Sequence, residues 1–144
     1  MNATGVKRHI PVETERLLLA AVALAKQNAE RFNMDLWVKR PGDLYRYERT
    51  KEFLAYHSEC GTTLCYASWI LSLASAEFFA SRELSYISVD AAEFAGLGGA
   101  QAYRLFFVSE WPSAYMTAYE SAETPEQLVD ALERRVSHFI RTGE

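Results

Sequence analysis

The sequence predicts a mainly α-helical bundle that forms a single domain over residues 1–144. Its length suits one hydrophobic core. Its composition is that of a globular protein, with 49% hydrophobic residues, 24% charged residues and only four prolines. The apolar residues of most segments recur at helical spacing. Residues 1–10 precede the first periodic segment, and we expect them to form a flexible N-terminal tail.

Two long helices are predicted in the first part of the chain. The first extends from about Val12 to Phe32, since Pro11 precedes it and an apolar stripe follows at helical spacing. The second extends over about residues 62–80, with Thr62 or Thr63 as its N-cap. Apolar residues surround nearly the whole axis of this second helix, which is typical of a helix buried at the centre of a core.

The segment between these helices has weaker signals. Pro41 and Gly42 indicate a turn, and residues 44–48 alternate like a strand. We therefore expect a short strand or hairpin near residues 36–50. Residues 50–56 are also compatible with a helical turn, and the pattern alone does not separate the two.

The C-terminal part contains three short helices and one long helix. The short helices begin at Ser88 or Asp90, at Gly99, and after the Trp111-Pro112 corner. The last helix is the best specified, because Thr124 to Gln127 supplies an N-cap, a first-turn proline and a capping-box glutamine. Its expected buried stripe comprises Leu128, Leu132, Val136 and Phe139.

Hydropathy and cysteine content predict a soluble cytoplasmic protein without membrane association. The first residues lack the apolar stretch of a secretory signal. No apolar run reaches the ~18 residues of a membrane-spanning helix. The two cysteines are therefore expected to be reduced thiols.

The charge is distributed unevenly along the chain. Between Glu83 and Glu133, nine acidic residues accompany one basic residue, Arg104. Such a segment repels nucleic-acid phosphates, so no nucleic-acid partner is expected there. It would suit a basic protein partner, or it is simply a solvated surface. The candidate binding residues of this surface are Tyr115, Tyr119, Glu120, Glu123 and Glu126.

Both cysteines and one histidine lie within nine residues. Cys60 is a candidate nucleophile, because we expect it just before the helix over 62–80, where free N–H groups would lower the pKa of a thiol. His57 or His138 would be its base. A zinc site formed by His57, Cys60 and Cys65 has poor spacing for tight-turn ligands, so neither a metal nor a cofactor is predicted. Alternatively, both cysteines have only structural roles.

Several short motifs along the chain carry a resemblance to a known set of proteins. They are Arg31-Phe32-Asn33-Met34 with Trp37, Cys60-Gly61-Thr62 with Cys65 and Ala67, Gly96-Leu97, Leu105-Phe106-Phe107, Trp111-Pro112 and His138-Phe139-Ile140. Over about residues 15–141, their order resembles a family of small bacterial and phage proteins with a Cys-Gly-Thr-x-x-Cys-x-Ala core. Here Ser68 follows that alanine, where the family has glycine. The resemblance implies a shared fold and focal region, and no activity.

The sequence thus favours a small helical protein-interaction or regulatory module of bacterial, phage or mobile-element origin. A protein partner is expected, and a homo-oligomer is also compatible with the pattern. The alternative function is a cysteine-dependent enzyme that uses Cys60 and a histidine base.

Overall fold

A computed structural model describes residues 9–144, and this part of the chain contains eight α-helices and one short two-stranded sheet. The helices are α1 (Val12–Gln27), α2 (Thr50–Tyr56), α3 (Tyr66–Leu71), α4 (Ala76–Ala80), α5 (Ile87–Ala95), α6 (Gly99–Phe106), α7 (Ser113–Glu120) and α8 (Pro125–Thr142). The strands are β1 (Val38–Lys39) and β2 (Thr63–Leu64), which pair antiparallel. The predicted mainly helical bundle is therefore confirmed.

Helix α3 lies at the centre of the core. All six of its residues are buried, and the helix packs against both α1 and α5. The Tyr66 hydroxyl donates a hydrogen bond to the main-chain oxygen of Leu18, at 2.7 Å, which joins α3 to α1. Helix α8 packs against α1 and α7 and adds a second layer. The most apolar stretch of the sequence thus forms the centre, as its pattern predicts.

The central helix is much shorter than the predicted span of 62–80. Residues 63–64 form β2, Cys65 is the N-cap of α3, and α4 is a separate helix. The main chain here bonds to a distant segment, since the N–H of Cys65 donates to the oxygen of Trp37 at 3.0 Å. Ser75 is the N-cap of α4, because its hydroxyl accepts a hydrogen bond from the N–H of Phe78. The buried hydroxyl of Thr62 caps neither helix.

The predicted strand near 36–50 is present, and its pairing explains the short central helix. β1 pairs with β2, in the register Val38 to Leu64, and Val38 also bridges to Tyr47. Residues 50–56 form α2. Helix α1 ends at Gln27, before the predicted Phe32, because the Asn28 side chain donates to the main-chain oxygen of Leu24 and a 3₁₀ turn follows.

The prediction for the C-terminal helix agrees with the structure, whereas the predicted N-terminal tail agrees only in part. Helix α8 has the predicted capping box, in which the Thr124 hydroxyl accepts from the N–H of Gln127 at 3.2 Å. It ends at Gly143, whose φ of 76° is left-handed. Residues 1–8 of the predicted N-terminal tail lie outside the described residues. Ile10, at the end of that predicted tail, is buried in the core.

Within residues 9–144, no helix is both long enough and apolar enough to cross a membrane.

Candidate functional site

Cys60 lies in an exposed turn and not at a helix N-terminus. The turn follows α2, and α3 begins only at Tyr66, with Cys65 as its N-cap. The prediction that Cys60 lies just before the central helix is therefore wrong. Strand β2 lies between this turn and α3 in the chain, and Cys65, not Cys60, precedes the first turn of α3.

The turn that carries Cys60 is held by Arg31, which ends the 3₁₀ turn after α1. Arg31 donates from Nε to the main-chain oxygen of Thr62 and from Nη2 to that of His57, both at 2.7 Å. Gly61 has a φ of 81°, and a Cβ at this position would lie 2.9 Å from Cγ of Pro41. Arg31 and Gly61 therefore have structural roles in this turn. The sequence does not indicate this contact of Arg31, because its partners are distant along the chain.

The two candidate bases have other partners. His57 stacks on the ring of Phe53, and its Nδ1 lies 2.8 Å from the main-chain oxygen of Phe53. His138 packs against the ring of Tyr115, with 5.1 Å between ring centroids. Over residues 9–144, the Cys60 thiol makes no hydrogen bond to either imidazole. The structure thus does not bring these three residues together as a nucleophile and base.

Cys65 is buried and packs as part of the core. Its Sγ lies 3.6 Å from Oγ of Ser68, and burial raises the pKa of the Cys65 thiol to about 11. The thiol is therefore neutral at physiological pH, which suppresses nucleophilic attack and metal ligation. In the described part of the chain, no three His, Cys, Asp or Glu side chains are grouped closely enough to hold a metal ion.

We expect iodoacetamide at pH 7.5 to alkylate Cys60 in the native protein and to leave Cys65 unmodified. The Cys60 thiol is exposed, whereas the Cys65 thiol is buried and its pKa is raised. Intact-protein mass spectrometry should show one adduct under native conditions and two in denaturant. A Cys60→Ser variant is the matched control, and it should remain unmodified in the native state. Native modification of Cys65 in that variant would contradict its placement in the core.

The candidate surface of tyrosines and glutamates is only partly exposed. Tyr119 is buried, its hydroxyl accepts a hydrogen bond from the N–H of Met34 at 2.9 Å, and burial raises its pKa to about 12. Its prediction as a surface residue is therefore wrong. Tyr115 is half-buried against His138. The remaining three, which are Glu120, Glu123 and Glu126, are exposed, and none forms an ion pair within the described chain.

A groove between α5 and α6 was not predicted from the sequence. It encloses about 370 Å³, and most of its lining is apolar. Val89 and Tyr103 are about half exposed at this groove, at 50% and 52%. Its other large lining side chains are Leu97, Phe106 and Phe107, and Glu93 is its one charged residue. Each helix has an ordinary amphipathic pattern, so the groove depends on how the two helices pack.

No protein-family model, curated protein or solved structure matches this chain.

Proposed function

We propose that the protein is a protein-interaction module that binds an amphipathic segment of a basic partner in the groove between α5 and α6. The observation that carries this proposal is the exposure of Val89 and Tyr103 beside a largely apolar groove of about 370 Å³. Exposed apolar patches with a concave centre are typical of interaction sites. Aromatic side chains such as that of Tyr103 often provide most of the binding energy at such sites.

The charge of the surrounding chain favours a basic partner. Glu93 lines the groove and pairs with Arg82 at its edge, and between Glu83 and Glu133 the sequence has nine acidic residues and only Arg104 as a basic one. The carboxylates of Glu120, Glu123 and Glu126 on and beside α7 and α8 are exposed, and no described cation neutralises them by an ion pair, so they add to the negative charge of the C-terminal half. Such a field accelerates the approach of a positively charged partner and disfavours acidic ones. The apolar contact in the groove would then provide the affinity.

The alternative of a cysteine-dependent enzyme has no comparable support. Cys60 is displaced from the start of α3, and neither His57 nor His138 is hydrogen-bonded to its thiol in the described structure. Nucleophilic catalysis requires a base within hydrogen-bond reach and a donor for the oxyanion. We therefore assign the interaction function to the groove and a structural role to the cysteine turn.

Model peptides can test both the groove and the sign of the charge. We expect a helical leucine–lysine peptide to bind at least about tenfold more tightly than a leucine–glutamate peptide with the same leucine pattern, measured by fluorescence anisotropy. A Val89→Ser/Tyr103→Ser variant should weaken binding of the lysine peptide by about tenfold or more, because it removes the exposed apolar anchors.

The matched control for the groove is a Leu44→Ser/Tyr45→Ser variant. These two apolar residues are even more exposed, at 90% and 78%, and do not line the groove. Circular dichroism would verify that both variants fold. Equal binding of the two peptides would overturn the proposed partner charge. Equal weakening by the groove and control variants would show that the groove is not the binding site.

A further inference from the structure

The loop over residues 40–46 presents two apolar side chains to solvent. Leu44 and Tyr45 are the most exposed large apolar residues of the described chain. Two hydrogen bonds between the main chains of Val38 and Tyr47, at 2.8 and 3.2 Å, close the base of the loop. The apolar tip is therefore held in one arrangement, which reduces the entropy that is lost when such a loop binds a partner.

The loop and its flanks are positively charged. Residues 36–51 contain five basic residues and two acidic ones, Asp43 and Glu48. Arg40 pairs with Asp43 at 3.0 Å, and its guanidinium lies over the ring of Tyr56 in α2, at 4.2 Å from the centroid. The five basic residues are Lys39, Arg40, Arg46, Arg49 and Lys51. Their charge is opposite in sign to that of the C-terminal half, which contains the groove between α5 and α6.

The 40–46 loop and the groove lie on one continuous face of the protein. Arg46 lines a depression of about 400 Å³ together with Leu44 and Tyr45. Arg46 also lines a second depression, of about 210 Å³, together with Trp37 and Phe107. Phe107 in turn lines the groove, and its ring packs edge-on against Trp37, with 5.4 Å between ring centroids. A surface rich in aromatic rings thus joins the loop to the groove.

We propose that the groove binds a second copy of this chain, whose 40–46 loop inserts Leu44 and Tyr45 between α5 and α6. The second copy is then the basic partner of the proposed function, on which this assignment rests. A face with a basic apolar loop at one end and a groove in an acidic half at the other matches itself after a two-fold rotation. Each copy gives its loop to the other and receives the other's loop, so the pair closes as a dimer.

The size of the contact favours this symmetric arrangement. One aromatic side chain buries roughly 150–250 Å², whereas stable interfaces bury about 1,200–2,000 Å² in total. A single loop in a single groove is therefore too small for a stable complex. Two-fold symmetry doubles the loop contact and adds the surface around Trp37 and Phe107. The result is a weak dimer, with a dissociation constant in the micromolar range.

Sedimentation equilibrium of the full chain tests the dimer directly. We expect a monomer–dimer equilibrium without larger species, because both contacts are satisfied within one pair. The loop variant Leu44→Ser/Tyr45→Ser and the groove variant Val89→Ser/Tyr103→Ser should each weaken the dimer by at least about tenfold. Circular dichroism verifies that each variant folds.

The matched control is Val12→Ser/Leu19→Ser. It removes two other exposed apolar side chains, both on α1, which line neither the groove nor the two depressions. This variant should dimerise as the wild type does. Equal weakening by the control would indicate non-specific association of apolar surface and would overturn the proposed contact.

A mixture of the loop variant and the groove variant gives the sharpest test. The loop variant retains an intact groove, and the groove variant retains an intact loop. A mixed pair therefore has one complete contact, whereas a pair of either variant has none. We expect the mixed pair to form at least about tenfold more tightly than either variant with itself. Misfolding of a variant cannot produce such a recovery, and its absence would contradict the insertion of the loop into the groove.

The leucine–lysine peptide separates this assignment from the proposed function. It should dissociate the wild-type dimer, and the loop variant should still bind it. If the wild type remains monomeric at about 1 mM while the peptide still binds in the groove, the second copy is not the partner and the proposed function stands. If the groove variant dimerises as the wild type does and the peptide does not bind, both fail. Binding of the loop to phosphatidylserine vesicles by a monomeric wild type would assign the loop to a membrane surface and overturn the dimer.

Discussion

Replacement of Asp90 by alanine is expected to lower the free energy of unfolding by about 3–5 kcal/mol, the range for breaking one side of a buried ion pair. Asp90 is 1% exposed and lies in the first turn of α5. Its Oδ2 accepts hydrogen bonds from the Thr50 hydroxyl and from the N–H of Ser85, and its Oδ1 lies 3.6 Å from Nε of Arg82. The alanine variant leaves the Thr50 hydroxyl and the N–H of Ser85 without their acceptor, and it removes the buried negative charge that pairs with Arg82.

This contact also joins two distant parts of the chain. The N–H of Thr50 donates to the main-chain oxygen of Ser85, and that of Ile87 donates to Glu48, both at 2.9 Å. Asp90 therefore fixes the start of α2 against the start of α5. Since single domains are typically stable by only about 5–15 kcal/mol, the variant should show a much lower urea midpoint.

The control for Asp90 is Glu93→Ala, which removes another carboxylate that pairs with Arg82. Glu93 is exposed, so its removal should cost about 1 kcal/mol or less. Urea denaturation followed by circular dichroism measures both variants. If Asp90→Ala loses no more stability than Glu93→Ala, the buried network does not hold α2 and α5 together.

Replacement of Tyr66 by alanine is expected to cost about 3–5 kcal/mol, because it removes a large buried ring and leaves a cavity. Tyr66 is fully buried in α3 and packs edge-on against Phe106, with 6.2 Å between ring centroids. Its hydroxyl donates to the main-chain oxygen of Leu18. Burial raises the pKa of Tyr66 well above its usual value, so the hydroxyl remains a donor at neutral pH.

A Tyr66→Phe variant separates the ring from its hydrogen bond. It retains the ring and should cost about 1 kcal/mol, the net contribution of one hydrogen bond. Tyr103→Ala is the exposed control and should change the free energy of unfolding by less than about 1 kcal/mol. Equal losses for Tyr66→Ala and Tyr103→Ala would contradict the central position of α3.

Elements with strong local signals were predicted well. The capping box at Thr124 and the apolar stripe through Leu132 and Phe139 specify α8 within the helix itself. Helix α5 is followed by the left-handed Gly96, a position that glycine occupies without a steric penalty. Such signals can be read from the segment itself, without the rest of the chain.

The sequence patterns predict the wrong structure where a distant segment forms hydrogen bonds with the main chain or buries a side chain. Leu64 lies in an apolar run that suits a helix, but pairing with Val38 makes it a strand residue. Tyr119 has helical spacing from Tyr115, which suits an exposed aromatic face. In the structure Tyr119 is buried, because its hydroxyl accepts a hydrogen bond from the N–H of Met34 and its ring packs against Trp111. Spacing along one helix does not report which side the neighbouring elements cover.

The sequence by itself determined the helical class, the last helix and the apolar centre of the core, because capping and periodicity act within one element. Only the tertiary structure decided the positions of the candidate functional groups. In the folded protein Cys60 lies in a turn before β2 and not at the start of α3, and the packing of α5 against α6 forms the groove beside Tyr103. Each of these depends on contacts between residues far apart in the chain, and their energies are set by packing and burial in three dimensions.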